Sequence, residues 1–166
     1  MNSPSSRILL IMGVAGSGKT TLGLRAADEL GWPYFEADDF HSPANKEKMA
    51  RGIPLDDDDR APWLAAIRAK MDAVRSAGGN AIFTCSALKE SYRRILLDGA
   101  EGVVPVFLAG DYNTILQRVG QRTGHYMKTD MVRSQFEALE APQGALTLDI
   151  SQAPEVILAK VLAAVK

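Results

Sequence analysis

Eight consecutive residues, Gly13-Val14-Ala15-Gly16-Ser17-Gly18-Lys19-Thr20, match the pattern G-x-x-x-x-G-K-[ST]. A phosphate chain needs many hydrogen-bond donors within a small arc. Backbone N–H groups supply them only where side chains stand aside, and Gly13, Gly16 and Gly18 clear that space and permit positive φ. A helix opening near Lys19 adds the positive end of its dipole. Lys19 can reach the β- and γ-phosphates, and Thr20 can place its hydroxyl on Mg²⁺. Val14, Ala15, Ser17 and Thr21 complete the expected nucleotide contacts. This is chemistry for a nucleoside triphosphate, and it leaves the reaction open.

A second group follows downstream: Glu36, Asp38 and Asp39, then His41. In a compact phosphate-loop protein these acids end a strand beside the phosphates. A spacing of two along an extended segment puts Glu36 and Asp38 on one side. One could hold Mg²⁺, directly or through water, and the other could orient an acceptor hydroxyl. Guanine-switch chemistry is disfavoured, because Asn45-Lys46-Glu47-Lys48 lacks the Asp of Asn-Lys-x-Asp. A motor-type ATPase is disfavoured too, because the apolar run Ala81-Ile82-Phe83-Thr84 leads into Cys85-Ser86 and not into an acid. Small-molecule kinases remain.

These groups must be held by a scaffold. Ile8–Met12 is a wholly apolar run of the kind buried on both faces of a parallel sheet. Further strands are expected at 33–36, 80–84, 103–108 and 145–150. Helices are expected at 19–30, 43–51, 60–77, 88–97, 112–122, 129–138 and 154–165. Asp59 and Asp111 are the expected caps of the helices that follow them. Strands alternating with helices imply a parallel sheet with right-handed crossovers. A single domain over 1–166 accommodates five such strands.

Composition agrees with that scale. With 46% hydrophobic and 23% charged residues, the chain is neither disordered nor fibrous. A net charge of -1 gives no bulk attraction to nucleic acid or to a membrane surface, and neither partner is expected. The lone cysteine, Cys85, allows no intramolecular disulfide, which fits a cytoplasmic protein. The apolar run ending at Val14 lacks a signal-peptide cleavage pattern and is far too short to span a bilayer.

More specific blocks narrow the class. They are Asp38-Asp39-Phe40-His41, Gly52-Ile53-Pro54-Leu55, Asp57-Asp58-Asp59-Arg60-Ala61-Pro62-Trp63-Leu64, Cys85-Ser86-Ala87-Leu88-Lys89, Tyr92-Arg93, Gly124-His125, Gln135-Phe136 and Glu140-Ala141-Pro142. Together with the phosphate loop they resemble the gluconokinases, small ATP-dependent kinases of the phosphate-loop superfamily, over nearly all of residues 11–150. Shikimate kinases, the nearest alternative, carry a triple-glycine turn where this chain has Cys85-Ser86-Ala87-Leu88-Lys89. The family usually has Asp where Glu36 stands, which puts direct metal contact there in question. It often has Pro at Ser42 and an acid at Ala44, changes that touch only a helix start.

The resemblance implies a three-layer α/β fold, with a five-stranded parallel sheet flanked by helices, an acceptor-binding segment at about 38–64 and a lid at about 121–142. It implies phosphorylation of D-gluconate at the 6-hydroxyl by ATP with Mg²⁺, feeding the pentose phosphate or Entner–Doudoroff route. A homodimer is also implied. The candidate acceptor residues are Asp38, His41, Arg60, Ser86, Lys89, Arg93 and Gln135. Asp38 would orient or deprotonate the 6-hydroxyl, and Arg60 or Lys89 would pair with the carboxylate. Arg118 and Arg122, four apart on one helix face, would point toward the nucleotide, with Lys19, Asp38 and Arg122 as the catalytic set. Gly124 is a candidate hinge, and His125 belongs to the lid without an assigned role.

Overall fold

The computed structural model describes residues 5–123 and 127–166, and the side chains of residues 121–128 lie outside that description. Five strands form one parallel sheet: β1 (Ile8–Met12), β2 (Tyr34–Glu36), β3 (Ala81–Thr84), β4 (Val103–Ala109) and β5 (Leu146–Asp149), in the order β2-β3-β1-β4-β5. The helices are α1 (Lys19–Leu30), α2 (Pro43–Ala50), α3 (Asp57–Ser76), α4 (Glu90–Leu97), α5 (Tyr112–Thr123), α6 (Met127–Ala138) and α7 (Pro154–Ala164).

The central strand explains the layers. Side chains alternate across a strand, so β1 feeds two cores. Leu9 and Ile11 pack with Leu22 and Ala26 of α1, Ile115 of α5 and Val161 of α7. Ile8, Leu10 and Met12 pack with Leu64, Ile67 and Met71 of α3 and with Leu96 of α4. Every β1 residue is buried, and each large aliphatic side chain so buried contributes about 1.5–3 kcal/mol. Cutting Leu10 to Ala would cost about 2–5 kcal/mol, because the close-packed neighbours cannot collapse into the gap.

The expected elements are present, with differences at their ends. The helix expected from Arg60 begins at Asp57 and is capped by Asp56, not Asp59. Asp59 lies three residues inside, and its carboxylate accepts the Asp56 N–H at 3.0 Å while the Asp56 carboxylate accepts the Asp59 N–H at 2.7 Å. This reciprocal box satisfies two orphan donors, which a single cap cannot do. Asp111 caps α5 as expected, accepting the Thr114 N–H at 2.7 Å. The helix expected from Leu88 starts only at Glu90. Ala37–Phe40 forms a 3₁₀ turn, so the extended run ends at Glu36 and alternation cannot be what places Glu36 and Asp38. The helix expected at 129–138 is α6, which begins two residues earlier, at Met127.

Candidate active site

The phosphate loop leaves the carboxyl end of the central strand, the end at which open parallel sheets bind ligands. Two of its glycines are required by geometry. Gly13 has φ +149°, and a Cβ there would sit 2.8 Å from Ser17 Oγ and 3.0 Å from the Leu108 carbonyl oxygen. Gly16 has φ +82°, and a Cβ would sit 2.7 Å from Val119 Cγ2. Ser17 Oγ is buried inside the loop and has no hydrogen-bond partner among the described residues. A buried hydroxyl is costly to leave unpaired, and a phosphate oxygen is a fitting acceptor for it.

Lys19 folds back over the loop, donating to the carbonyls of Gly13 at 2.9 Å and Val14 at 3.0 Å. Burial lowers its pKa, and the carboxylates of Glu36 and Asp38 act in the opposite sense. Both acids therefore lie within electrostatic reach of Lys19. Beside the loop opens a cavity of about 630 Å³, within the range of a small-molecule site. Ser17, Gly18, Thr21, Arg118, Ile150 and Gln152 are among its walls. Arg118 is held there by donating to the Ile150 carbonyl at 3.0 Å. The Arg122 side chain, Gly124 and His125 lie outside the described residues.

Thr20 Oγ1 donates to Glu36 Oε2 at 3.1 Å, and the Tyr34 hydroxyl donates to the same oxygen at 2.5 Å. Tyr34 also shares a hydrogen bond of 2.8 Å with Thr84 Oγ1. Burial, then the bond to Glu36, pushes the Tyr34 pKa up to about 12, so it remains a donor at neutral pH. Among the described residues no group of three or more His, Cys, Asp or Glu could hold a metal by itself. Magnesium in phosphate-transfer sites takes one or two protein oxygens and completes its shell with phosphates and water. Thr20 and Glu36 fit that donor set.

The candidate acceptor side is assembled from several elements. Asp38 is exposed on the 3₁₀ turn. His41 follows it, buried, with its ring stacked on Trp63 of α3 at 4.2 Å. Burial lowers the His41 pKa, with Asp38 raising it and Arg60 lowering it further. Asn45 ties α2 to α3 by donating to the Asp59 carbonyl at 2.9 Å, and Lys48 donates to Asp59 Oδ1 at 2.9 Å. Arg60 Nη1 donates to the Tyr92 hydroxyl at 3.2 Å. The Arg60 guanidinium and the Lys89 ammonium lie 5.7 and 5.6 Å from the Tyr92 ring centre.

The structure thus gathers Asp38, His41, Arg60 and Lys89 along one face. Ser86 is half-buried, and its carbonyl accepts the Gly13 N–H at 3.3 Å, joining this face to the phosphate loop. Two acceptor candidates stand elsewhere. Gln135 of α6 accepts the Ala15 N–H at 3.0 Å, against the phosphate loop. Arg93 is buried and donates to the carbonyls of Ala87 at 2.8 Å and Glu140 at 2.7 Å, and to Glu90 Oε2 at 3.2 Å. Ala87 has φ +45°, a strained value for a residue with a Cβ. Arg93 therefore braces the turn that presents Ser86 and Lys89. Sequence reasoning missed Tyr34 and Asp57 and gave Tyr92 no role, because tyrosines and a run of aspartates carry no motif of their own.

A family model described as an AAA domain matches residues 8–145. The chain is 38% identical to a probable gluconokinase of Rattus norvegicus, over 96% of this chain and 97% of that one. It is 43% identical to the thermosensitive gluconokinase of Escherichia coli strain K12, over 81% and 72%. The crystal structure of a gluconokinase from Sinorhizobium meliloti 1021 superposes with a TM-score of 0.83 at 39% identity, covering 99% of this chain and 93% of that one.

Proposed function

The chain belongs to the gluconokinase family, and from that premise we propose that it transfers the γ-phosphoryl group of ATP to the 6-hydroxyl of D-gluconate. The observation that carries this reading is the single face running from the phosphate loop through Asp38 and His41 to Arg60 and Lys89. It suits a linear acid with a reactive hydroxyl at one end and a carboxylate at the other.

The residues divide the work as follows. The loop amides, Ser17 and Lys19 hold the triphosphate, with Arg118 and Arg122 on the nucleotide side. Thr20 and Glu36 would hold Mg²⁺, which neutralises phosphate charge when bound. Asp38 accepts the proton of the 6-hydroxyl as its oxygen bonds to the γ-phosphorus. The bond from that phosphorus to the bridging oxygen breaks, and the electron pair leaves on ADP. A weak base suffices, because phosphoryl transfer is mostly positioning and charge stabilisation. Arg60 and Lys89 bind the carboxylate, and the segment at about 121–142 would serve as the lid over the nucleotide. The product, 6-phospho-D-gluconate, would enter the pentose phosphate or Entner–Doudoroff route, and a cytoplasmic homodimer belongs to the same reading.

The test is ADP release with gluconate, with shikimate, with nucleoside monophosphates and with no acceptor, followed by phosphorus NMR of the product. Gluconate-dependent release and a phosphate on carbon 6 are expected. Turnover of shikimate but not of gluconate would overturn the assignment.

A further inference from the structure

Within the run Asp56–Asp59, two residues have local work: Asp56 and Asp59 close the capping box of α3, and Asp59 also binds Lys48. Asp57 does something else. Its Oδ1 accepts the Tyr92 hydroxyl at 2.6 Å and lies 3.6 Å from Lys89 Nζ and 3.8 Å from Arg60 Nη1. Those three groups come from α3, the β3–α4 turn and α4, and they meet on one carboxylate oxygen. Two cations and a hydroxyl donor converging on a point form a carboxylate receptor.

We propose that Asp57 is a resident stand-in for the acceptor's carboxylate, which displaces it from Arg60, Lys89 and Tyr92 on binding. This rests on the gluconate reading above and adds Tyr92 and Asp57 to it, one as a carboxylate ligand and the other as its internal competitor. The hydrogen bond from Tyr92, with the Lys89 and Arg60 charges, holds the Asp57 carboxyl below the usual carboxylate range, so the receptor favours an anion.

Displacement is easy by construction. The Asp57 side chain is 66% exposed, and both of its cation contacts are longer than 3.5 Å. Two such ion-pair contacts hold an exposed carboxylate only weakly, by at most about a fivefold preference, and the hydroxyl of Tyr92 can turn to any carboxylate that replaces Asp57. An acid substrate exchanges one carboxylate for another and restores every contact. A neutral polyol has no charge to offer the two cations and leaves Asp57 in place. The stand-in thus selects sugar acids over neutral polyols, and it keeps Arg60 and Lys89 from repelling each other while the site is unfilled.

Asp57→Asn keeps an acceptor for the Tyr92 hydroxyl and removes the competing charge. Its gluconate KM should fall about two- to fivefold, the preference that the Asp57 charge holds for the two cations, while the KM for ATP stays the same. Calorimetric titration with gluconate alone should show the same tightening. In a Lys89→Ala background, which lacks one of the cations, the gain from Asp57→Asn should shrink, because the two residues share one contact. A gluconate KM that is unchanged or higher in Asp57→Asn overturns the stand-in and leaves the kinase reading intact. No ADP release with gluconate by the unaltered chain overturns that reading, and this inference with it.

Discussion

The phosphate loop and the proposed acceptor face are built by opposite means. The loop is contiguous: eight successive residues, three glycines with φ between +82° and +149°, and a ligand surface made largely of backbone amides. The acceptor face is composite. It is gathered from the 3₁₀ turn, α2, α3, the β3–α4 turn and α4, and it is held by side chains that touch across those elements. A backbone site depends on chain conformation and reads any triphosphate. A side-chain site depends on tertiary packing and can read one acceptor. Substitutions should therefore separate the two, harming nucleotide binding through conformation and acceptor use through charge.

The sharpest separation should come from Asp38→Asn. Loss of a positioned base typically lowers turnover by about 10²–10⁴, and ATP affinity should change little. Stopped-flow turnover beside calorimetric ATP binding decides this, and equal loss of both would make Asp38 a structural or metal-side residue. Next is Gly16→Ala, which combines positive φ with a Cβ 2.7 Å from Val119 Cγ2. The strain and the clash together should cost about 1–3 kcal/mol, read as a lower melting temperature and weaker ATP binding. If ATP binding survives at full strength, nucleotide binding does not depend on the backbone conformation of the loop.

Tyr34→Phe should have a smaller effect. It removes the hydroxyl that fixes Glu36 against Thr20. The Mg²⁺ concentration for half-maximal binding of a non-hydrolysable ATP analogue should rise about two- to tenfold, the net worth of one ordinary intramolecular hydrogen bond. An unchanged Mg²⁺ dependence would detach Glu36 from the metal. The smallest effect concerns His41. Burial lowers its pKa in the folded chain, so between that value and its ordinary 6.5 the unfolded chain binds more protons. Stability should therefore fall as pH drops below about 6.5. Urea unfolding at pH 7.5 and 5.5 should show a steeper loss for the unaltered chain than for His41→Gln. Parallel losses would mean that His41 is not the titrating group.

The same contrast explains what could be read from the sequence. The loop, the buried β1 and the α/β alternation were legible because each is local: a motif, an apolar run, a period. The resemblance supplied Arg60 and Lys89, and the structure puts both beside Tyr92. What could not be read is contact across elements. Gln135 lies 120 positions from Ala15 yet bonds to it, and Arg93 turns inward to brace the positive φ of Ala87. The cap of α3 moved to Asp56 because the run offers four aspartates, and only the reciprocal geometry with Asp59 selects among them. The Tyr34–Glu36–Thr20 chain joins α1 to β2 through hydroxyls that carry no pattern in sequence.

The most direct test of a contiguous nucleotide site facing a charge-reading acceptor site is the initial rate of ADP formation at saturating Mg-ATP. It should be measured against increasing D-gluconate and against increasing D-glucitol, which has a hydroxymethyl group where gluconate has its carboxylate. Saturable stimulation by gluconate and little by glucitol at the same concentrations are expected. Equal stimulation by both, or a rate indifferent to gluconate, would contradict a charge-reading acceptor site.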